Sequence, residues 1–246
     1  RRQEKEVSWR RASEGAIDMK LLLTSGGITN DTLAGELEGL TGKKFAELAI
    51  GFIPSAAFGD PSSDKSWLIN DLSRLQSRGA KVAIISLADL TPDEIMAQLQ
   101  PVDVIFVGGG NTFYLSWLLK EKGMSEILTA LLQTKVYAGI SAGSMIATSS
   151  LAAASQAVRA GEMRDDLGPV GRSGVEALNL VSFLVRPHLN NHLVEEIANG
   201  ALEKIADRTG LKIYAIDDQC AVRVVDDEVS VVGEGEWRIV EPREHL

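Results

Sequence analysis

Short, continuous runs of apolar residues alternate along this chain with segments in which apolar residues recur every three or four positions. Five runs rich in Val, Ile and Leu have the length of strands that are buried on both faces: residues 20–24, 48–53, 81–86, 103–108 and 135–140. Segment 63–79 has helical spacing, and segment 91–99 begins with Thr91 as a helix cap and Pro92 at the first helical position. This alternation predicts an α/β fold with a doubly wound, mostly parallel sheet.

The end of the chain has a different pattern. Segment 193–210 predicts one more amphipathic helix. Four short apolar runs then predict a strand and a small antiparallel meander: residues 213–218, 221–227, 228–233 and 236–241. No linker rich in proline or serine divides residues 19–246, which we therefore expect to form a single domain. Residues 1–18 are charged and aperiodic, and we expect a disordered leader or a remnant of an expression tag.

Composition narrows the classes of function. The formal net charge of −9 argues against a nucleic acid or an anionic membrane as the partner, since both favour a basic surface. Cys220 is the single cysteine and cannot form an internal disulfide, and no apolar run approaches the roughly 20 residues of a membrane helix. We therefore expect a cytoplasmic protein. No His, Cys and Asp cluster has metal-ligand spacing, so the sequence predicts no metal or other cofactor.

One stretch has the order of strand, tight turn and helix that positions a nucleophile. Gly139, Ser141 and Gly143 fit the G-x-S-x-G pattern of a nucleophile elbow. Small residues are needed at such a turn, because larger side chains would collide with the adjoining strand or helix. The pattern is short, and a glycine-rich junction without chemistry is the alternative explanation.

A second turn, VGGGNT, follows the strand before the elbow. Its glycines leave the backbone N–H groups of Gly109 and Gly110 free to approach a ligand, and Asn111 or Thr112 can cap the following helix. The turn has neither the phosphate-loop pattern nor the dinucleotide-binding pattern of glycines. Together with the N–H group of Ala142, it is a candidate oxyanion hole.

A serine nucleophile needs a base, and histidine is the usual one because it titrates near neutral pH. The chain has three histidines: His188, His192 and His245. His188 follows an apolar run and a proline, which predicts a position at the end of a strand, on the same edge as Ser141. His192 begins the next predicted helix, and His245 lies in a polar segment near the end of the sequence. This placement favours His188 as the base.

The base in turn needs an acidic partner that fixes its tautomer. The apolar run IYAI is followed by Asp217 and Asp218. Asp218 is our candidate and Asp217 is the alternative. A charged turn that leads into the next strand explains the same pair without any chemistry.

Six stretches, in this order along the chain, together resemble the peptidase E family of serine dipeptidases: LLLTSGG, IPSAA, FVGGGNTFYL, AGISAGSMI, VRPHLNNH and YAIDDQCAV. The resemblance spans nearly all of residues 19–246. It implies a flavodoxin-like core similar to class I glutamine amidotransferases, and hydrolysis of N-terminal aspartyl dipeptides without a cofactor. Carried over by motif, the nucleophile is Ser141, the base is His188 and the acid is Asp218, where many family members have a glutamate.

The implied substrate is a small peptide with an aspartyl side chain, whose carboxylate requires a cation in the binding pocket. Four arginines lie between the candidate nucleophile and base or beside them: Arg159, Arg164, Arg172 and Arg186. The sequence does not choose among these four arginines, and our candidate substrate-binding residues are Arg186, Asn111 and Thr112. We allow for a homodimer and expect no nucleic-acid or membrane partner.

Three other functions stay open at this point. An α/β-hydrolase esterase also uses G-x-S-x-G, but its acid precedes its histidine, which would make His245 the base. A noncatalytic ligand-binding module of amidotransferase ancestry would have Ser141 where a nucleophilic cysteine was lost. An isopeptidase resembling the cyanophycinases, relatives of peptidase E, would cleave an aspartate-rich polymer.

Overall fold

The computed structural model of the protein describes residues 19–59, 64–154, 176–189 and 200–243. Labels run in chain order through these ranges. The strands are β1 (Lys20–Thr24), β2 (Ala49–Ile53), β3 (Lys81–Ile84), β4 (Val104–Val107), β5 (Val136–Ile140), β6 (Leu184–Arg186), β7 (Ile213–Ile216), β8 (Cys220–Val225), β9 (Glu228–Gly233) and β10 (Trp237–Val240). The helices are α1 (Asp31–Thr41), α2 (Ser55–Phe58), α3 (Ser66–Ser77), α4 (Pro92–Leu99), α5 (Thr112–Glu121), α6 (Met124–Leu131), α7 (Ala142–Ile146) and α8 (Ala201–Thr209).

A seven-stranded sheet in the order β3-β2-β4-β5-β1-β8-β9 forms the centre of the fold. Strands β1 to β5 are parallel, β8 pairs antiparallel with β1, and β9 pairs antiparallel with β8. The parallel strands have the flavodoxin-like order 2-1-3-4-5 when β2, β3, β4, β5 and β1 are renumbered 1 to 5. The predicted α/β class with a mostly parallel sheet is confirmed.

A second sheet of three strands lies in the order β10-β7-β6. The predicted antiparallel element at the end of the chain is present, but it is not one continuous meander. β8 and β9 extend the main sheet, whereas β10 returns to pair with β7. The reversal occurs at residues 234–236, where the N–H of Glu234 bonds to the Gln219 carbonyl and the N–H of Glu236 bonds to the Asp217 carboxylate.

The continuous apolar runs of β1, β2, β4 and β5 become strands because both faces of the sheet are covered there. The prediction of burial on both faces is wrong for the run at 81–86, which forms β3 at the edge of the sheet and leaves Ile84 59% exposed. Leu21 and Leu23 contribute to one hydrophobic cluster and Leu22 to another, and all three are 0% exposed. In β4, Ile105 and Phe106 likewise belong to opposite clusters. Side chains alternate between the faces of a strand, so a strand covered on both faces needs apolar residues at every position.

The predicted start of the helix near residue 91 is confirmed. The Thr91 hydroxyl accepts from the N–H of Glu94 at 3.3 Å, and the Glu94 carboxylate accepts from the N–H of Thr91 at 2.8 Å, with Pro92 at the first helical position. This reciprocal pair satisfies two N–H groups that a helix start leaves unpaired. None of the helices within the described ranges is both long and apolar enough to cross a membrane.

Candidate active site

Ser141 lies at a sharp turn between β5 and α7. Its φ of 48° and ψ of −104° are unfavourable for a residue with a β-carbon, which is the strained backbone expected of a nucleophile elbow. A β-carbon at Gly139 would lie 2.6 Å from the backbone of Gly143, and one at Gly143 would collide with the Val107 carbonyl. The glycines of the motif are therefore required by the close approach of α7 to the sheet.

A chain of hydrogen bonds joins the serine, the histidine and the acid that the sequence singled out. His188 Nε2 lies 2.9 Å from Ser141 Oγ, and His188 Nδ1 lies 2.6 Å from Asp218 Oδ1. Ser141 follows β5 in the main sheet and His188 follows β6 in the small sheet, while Asp218 lies in the connection from β7 to β8. The three side chains therefore meet where the two sheets adjoin.

The structure separates the two neighbouring aspartates. Asp217 turns away from the histidine and accepts backbone hydrogen bonds from Gln219 at 2.9 Å and Glu236 at 2.7 Å. A β-carbon at Gly235 would collide with this carboxylate. Asp217 therefore fixes the turns on both sides of it, and only Asp218 contacts His188.

The environment of Asp218 favours its ionised form. The hydrogen bond from His188 is the main cause that holds the pKa of Asp218 below its usual value of 3.8, although partial burial acts in the opposite direction. The positive charge that His188 can carry, the hydroxyl of Ser25 and the charge of Arg74 also lower this pKa. An ionised carboxylate at this place holds a proton on Nδ1 and leaves Nε2 free to accept one.

The turn between β4 and α5 lies beside the elbow. A β-carbon at Gly109 would lie 3.4 Å from the β-carbon of Ser141. Gly110 has a φ of 128°, and a β-carbon there would collide with the backbone of Ala56. Ala142 is the first residue of α7, and within the described ranges no residue accepts a hydrogen bond from the N–H of Gly109, Gly110 or Ala142. These groups can donate to an oxyanion formed next to Ser141.

Comparison with known proteins identifies the family. A model described as peptidase family S51 matches residues 21–232. The chain belongs to peptidase family S51. It is a serine peptidase resembling peptidase E, so a noncatalytic binding module no longer accounts for it. The chain order of serine, histidine and acid also differs from that of an α/β-hydrolase.

Individual relatives agree with this membership. An uncharacterized peptidase of Listeria innocua serovar 6a is 34% identical over 157 residues, which cover 63% of this chain and 71% of the relative. Peptidase E of Escherichia coli O1:K1 is 30% identical over 101 residues, 41% of this chain and 40% of the relative. The crystal structure of a candidate peptidase E from Listeria monocytogenes EGD-e aligns with a TM-score of 0.71 at 26% identity, covering 89% of this chain and all of that one.

The residues predicted to bind substrate have other contacts in this S51 peptidase. Asn111 caps α5: its side chain accepts from the N–H groups of Phe113 and Tyr114 and donates to the Gly59 carbonyl, each at 3.0 Å. Thr112 is buried at the start of the same helix. These contacts shape the turn that carries Gly109 and Gly110. A direct role of Asn111 or Thr112 in substrate binding stays a prediction.

Arg186 is the last residue of β6, two positions before His188, and is 6% exposed. One of its guanidinium nitrogens donates to the Ala153 carbonyl at 3.3 Å. Its role in binding substrate also stays a prediction. Five other residues considered in the sequence lie outside the described residues: Arg159, Arg164, Arg172, His192 and His245.

Sequence reasoning missed a serine that contacts both the base and the acid. Ser25 Oγ donates to Asp218 Oδ1 at 2.6 Å and accepts from the N–H of His188 at 2.8 Å. Its position directly after β1, at the edge of the sheet that also carries Ser141, was the available signal. The turn is packed tightly, since a β-carbon at Gly26 would lie 2.9 Å from that of Asp218.

A second missed feature is a buried carboxyl group next to this turn. Asp71 on α3 is 8% exposed and lies 3.3 Å from Arg74, which also donates to the Gly26 carbonyl at 3.0 Å. Burial raises the pKa of Asp71 to about 7, an effect that Arg74 opposes and the charge of Asp218 reinforces. Asp71 and Arg74 therefore brace the turn after β1 from the helix side.

The raised pKa of Asp71 predicts a pH-dependent stability. Between the usual pKa of 3.8 and about 7, the folded chain keeps a proton on Asp71 that the unfolded chain releases. This contribution to the free energy of unfolding is fully present below the lower pKa and lost as the pH rises through the upper one. The loss across this window is about 4 kcal/mol, at about 1.4 kcal/mol per pKa unit.

An Asp71→Asn variant cannot titrate at this position. Its free energy of unfolding, relative to the original protein, should therefore increase by roughly 4 kcal/mol between pH 4 and pH 8. Urea unfolding of both proteins at several pH values measures this difference. A difference that does not change with pH would contradict the raised pKa.

Proposed function

We propose that this S51 peptidase is a serine dipeptidase that hydrolyses Asp-Xaa dipeptides through Ser141, His188 and Asp218. The hydrogen-bond chain of 2.9 and 2.6 Å that links the three side chains is the observation that carries this proposal. The substrate class is supported by the peptidase E relatives and by the six sequence stretches that resemble that family. No metal ligand is needed for this chemistry, which relies on acyl transfer to serine.

In the proposed reaction His188 removes the proton of Ser141, and the serine oxygen attacks the carbonyl carbon of the scissile peptide bond. The resulting imidazolium is stabilised by Asp218, and its Nε2 proton passes to the leaving amine. The aspartyl residue of the substrate is then held as an ester on Ser141. Water, activated by the same histidine, attacks this ester, and release of aspartate restores the hydroxyl.

Negative charge develops on the carbonyl oxygen during each attack. We assign its stabilisation to the N–H of Ala142 and to the N–H of Gly109 or Gly110, which lie on the two turns at the edge of the sheet. The start of α7 adds the positive end of its backbone dipoles. Loss of one such donor in a serine hydrolase costs about 2.7–4 kcal/mol of transition-state stabilisation.

The carboxylate of the aspartyl side chain requires a cation. Arg186 is the candidate, because it is the one of the four arginines considered in the sequence that lies among the described residues. It lies on the short strand that leads to His188, so binding of substrate and placement of the base would depend on the same segment. A planar guanidinium can hold a carboxylate with two parallel hydrogen bonds.

A dipeptide panel tests the proposed specificity. The substrates are Asp-Leu, Glu-Leu and Asn-Leu, which differ only in the length or charge of the first side chain. We expect kcat/KM for Asp-Leu to exceed the other two by at least about 100-fold. Asn lacks the negative charge and Glu carries it one methylene further out, so polar groups of the site that fit an aspartate would be left unpaired with either substrate. Ser141→Ala, purified in the same way, measures the hydrolysis that does not depend on Ser141.

Each other outcome of the panel has a definite meaning. Equal rates on the three dipeptides would contradict Asp-Xaa specificity and leave the serine peptidase in place. A β-aspartyl isopeptide is assayed beside the panel, and a preference for it over Asp-Leu would favour the cyanophycinase-like reaction. Hydrolysis that persists undiminished in Ser141→Ala would contradict the proposed nucleophile.

A further inference from the structure

Ser25 occupies a central position between the nucleophile and the acid. β1 pairs with β5, which leads to Ser141, and on its other side with β8, which is preceded by the turn of Asp218. Ser25 directly follows β1 and is 0% exposed. Its N–H bonds to the Cys220 carbonyl at 3.3 Å, which continues the pairing of the two strands to this point.

The hydroxyl of Ser25 contacts both the base and the acid of the triad, His188 and Asp218. Its oxygen lies 2.6 Å from Asp218 Oδ1, 2.8 Å from the backbone nitrogen of His188 and 3.4 Å from His188 Nδ1. The backbone N–H can only donate, so it occupies a lone pair of the hydroxyl oxygen. The single hydroxyl proton is then directed to the carboxylate of Asp218.

This arrangement determines which ring nitrogen of His188 carries a proton. Asp218 Oδ1 accepts from Ser25 and lies 2.6 Å from His188 Nδ1. An ionised carboxylate can only accept, so Nδ1 must be the protonated nitrogen of the neutral ring. Nε2 then presents its lone pair to Ser141, as a general base requires.

Ser25 also holds the backbone of His188. The φ of His188 is 60°, a left-handed conformation that costs a residue with a β-carbon about 1–3 kcal/mol. The bond from the N–H of His188 to Ser25 and the bond from the N–H of Leu189 to the Ile216 carbonyl, at 3.1 Å, hold the loop in this conformation. Loss of the first bond would release the histidine backbone from β1.

We infer that Ser25 is a positioning residue of the triad, which fixes the Nδ1–H tautomer and the orientation of His188 through Asp218 and the histidine backbone. The inference rests on the proposed function, since it gives Ser25 a role in the reaction at Ser141. Ser25 itself does not contact the reacting atoms. Its removal should therefore lower kcat and leave KM nearly unchanged.

The test combines kinetics with NMR of the resting enzyme. In Ser25→Ala we expect kcat for Asp-Leu to fall about 10- to 100-fold, as for loss of a hydrogen bond to a charged group, with KM within about threefold of the original. The downfield proton resonance of His188 Nδ1–H should shift or broaden. Its assignment is practical, because the chain has 3 histidines and His188→Ala identifies the signal.

Two further variants separate positioning from a structural effect on the loop. Thr29→Val removes a hydroxyl that bonds to the backbone carbonyl of Asp218 at 2.8 Å and leaves the carboxylate contacts in place. We expect its kcat and its Nδ1–H resonance to match those of the original protein. Ser25→Cys replaces the hydroxyl with a thiol, which is somewhat larger and a weaker donor, and its losses should lie between those of the original protein and Ser25→Ala.

An unchanged kcat and Nδ1–H resonance in Ser25→Ala would overturn the inference, and so would an equal loss in Thr29→Val. If Ser25→Ala does not fold, Ser25→Cys decides, and a fully active cysteine variant with an unchanged resonance would overturn it. The NMR arm needs no substrate. Failure of the protein to cleave Asp-Leu would therefore contradict the proposed function while the resonance still tests the position of Ser25.

Discussion

Ser141→Ala is expected to lower kcat for Asp-Leu about 10⁶-fold, equivalent to about 8 kcal/mol of transition-state stabilisation. The reason is that no other hydroxyl within the described ranges hydrogen-bonds to His188 Nε2, so covalent catalysis is lost. Any remaining rate should come from the oxyanion donors and from substrate binding. Steady-state hydrolysis at saturating substrate, with active-site titration of the original enzyme, measures this loss.

Ser144→Ala is the matched control for this prediction. Ser144 lies one turn further along α7, is 0% exposed and donates to the Thr24 carbonyl at 2.6 Å. Its loss should cost about 1 kcal/mol of stability and little activity, because the hydroxyl contacts only the backbone. If Ser144→Ala loses as much kcat as Ser141→Ala, the assignment of the nucleophile is wrong.

Asp218→Asn is expected to lower kcat about 10⁴-fold, the loss known for an amide in place of the acid of a serine protease triad. An amide NH₂ placed next to Nδ1 favours the proton on Nε2, and this tautomer cannot accept the proton of Ser141. The ionised carboxylate that stabilises the imidazolium is lost as well. The pH profile of kcat and the NMR state of the His188 ring report these two effects separately.

Asp217→Asn tests the choice between the two neighbouring acids. Asp217 bonds to the N–H groups of Gln219 and Glu236 and does not contact the histidine. Its replacement should lower the free energy of unfolding by about 1–3 kcal/mol, since one backbone donor loses its acceptor, and should leave kcat close to the original. Greater loss of kcat in Asp217→Asn than in Asp218→Asn would reverse the assignment.

Local sequence patterns were sufficient for the parallel strands, for the start of α4 and for the elbow, although not for the exposure of the edge strand β3. Apolar runs predict strands covered on both faces, and Thr91 with Pro92 marks the start of α4, because these signals depend on near neighbours alone. Ser141 could be predicted for the same reason, since its turn is defined by glycines within two positions. His188 could be predicted because the chain offers few histidines.

The features that the sequence left open depend on contacts between distant strands. Asp217 and Asp218 occupy the same turn. The return of the chain to pair β10 with β7 brings the N–H of Glu236 to the carboxylate of Asp217, which therefore bonds to the backbone. Ser25 reaches Asp218 only because β8 pairs with β1, across 193 positions of sequence. The division of the final strands between two sheets has the same origin. None of these pairings leaves a local pattern.

The proposed reaction depends above all on Ser141 being a nucleophile that His188 activates. Labelling with a fluorophosphonate probe, followed by peptide mapping, tests it most directly because it requires no knowledge of the substrate. We expect one probe per chain, attached to Ser141, and loss of labelling in His188→Ala with the folded structure retained. A folded original protein that is not labelled at Ser141, or labelling of His188→Ala at the original rate, would show that His188 does not activate Ser141 as a nucleophile.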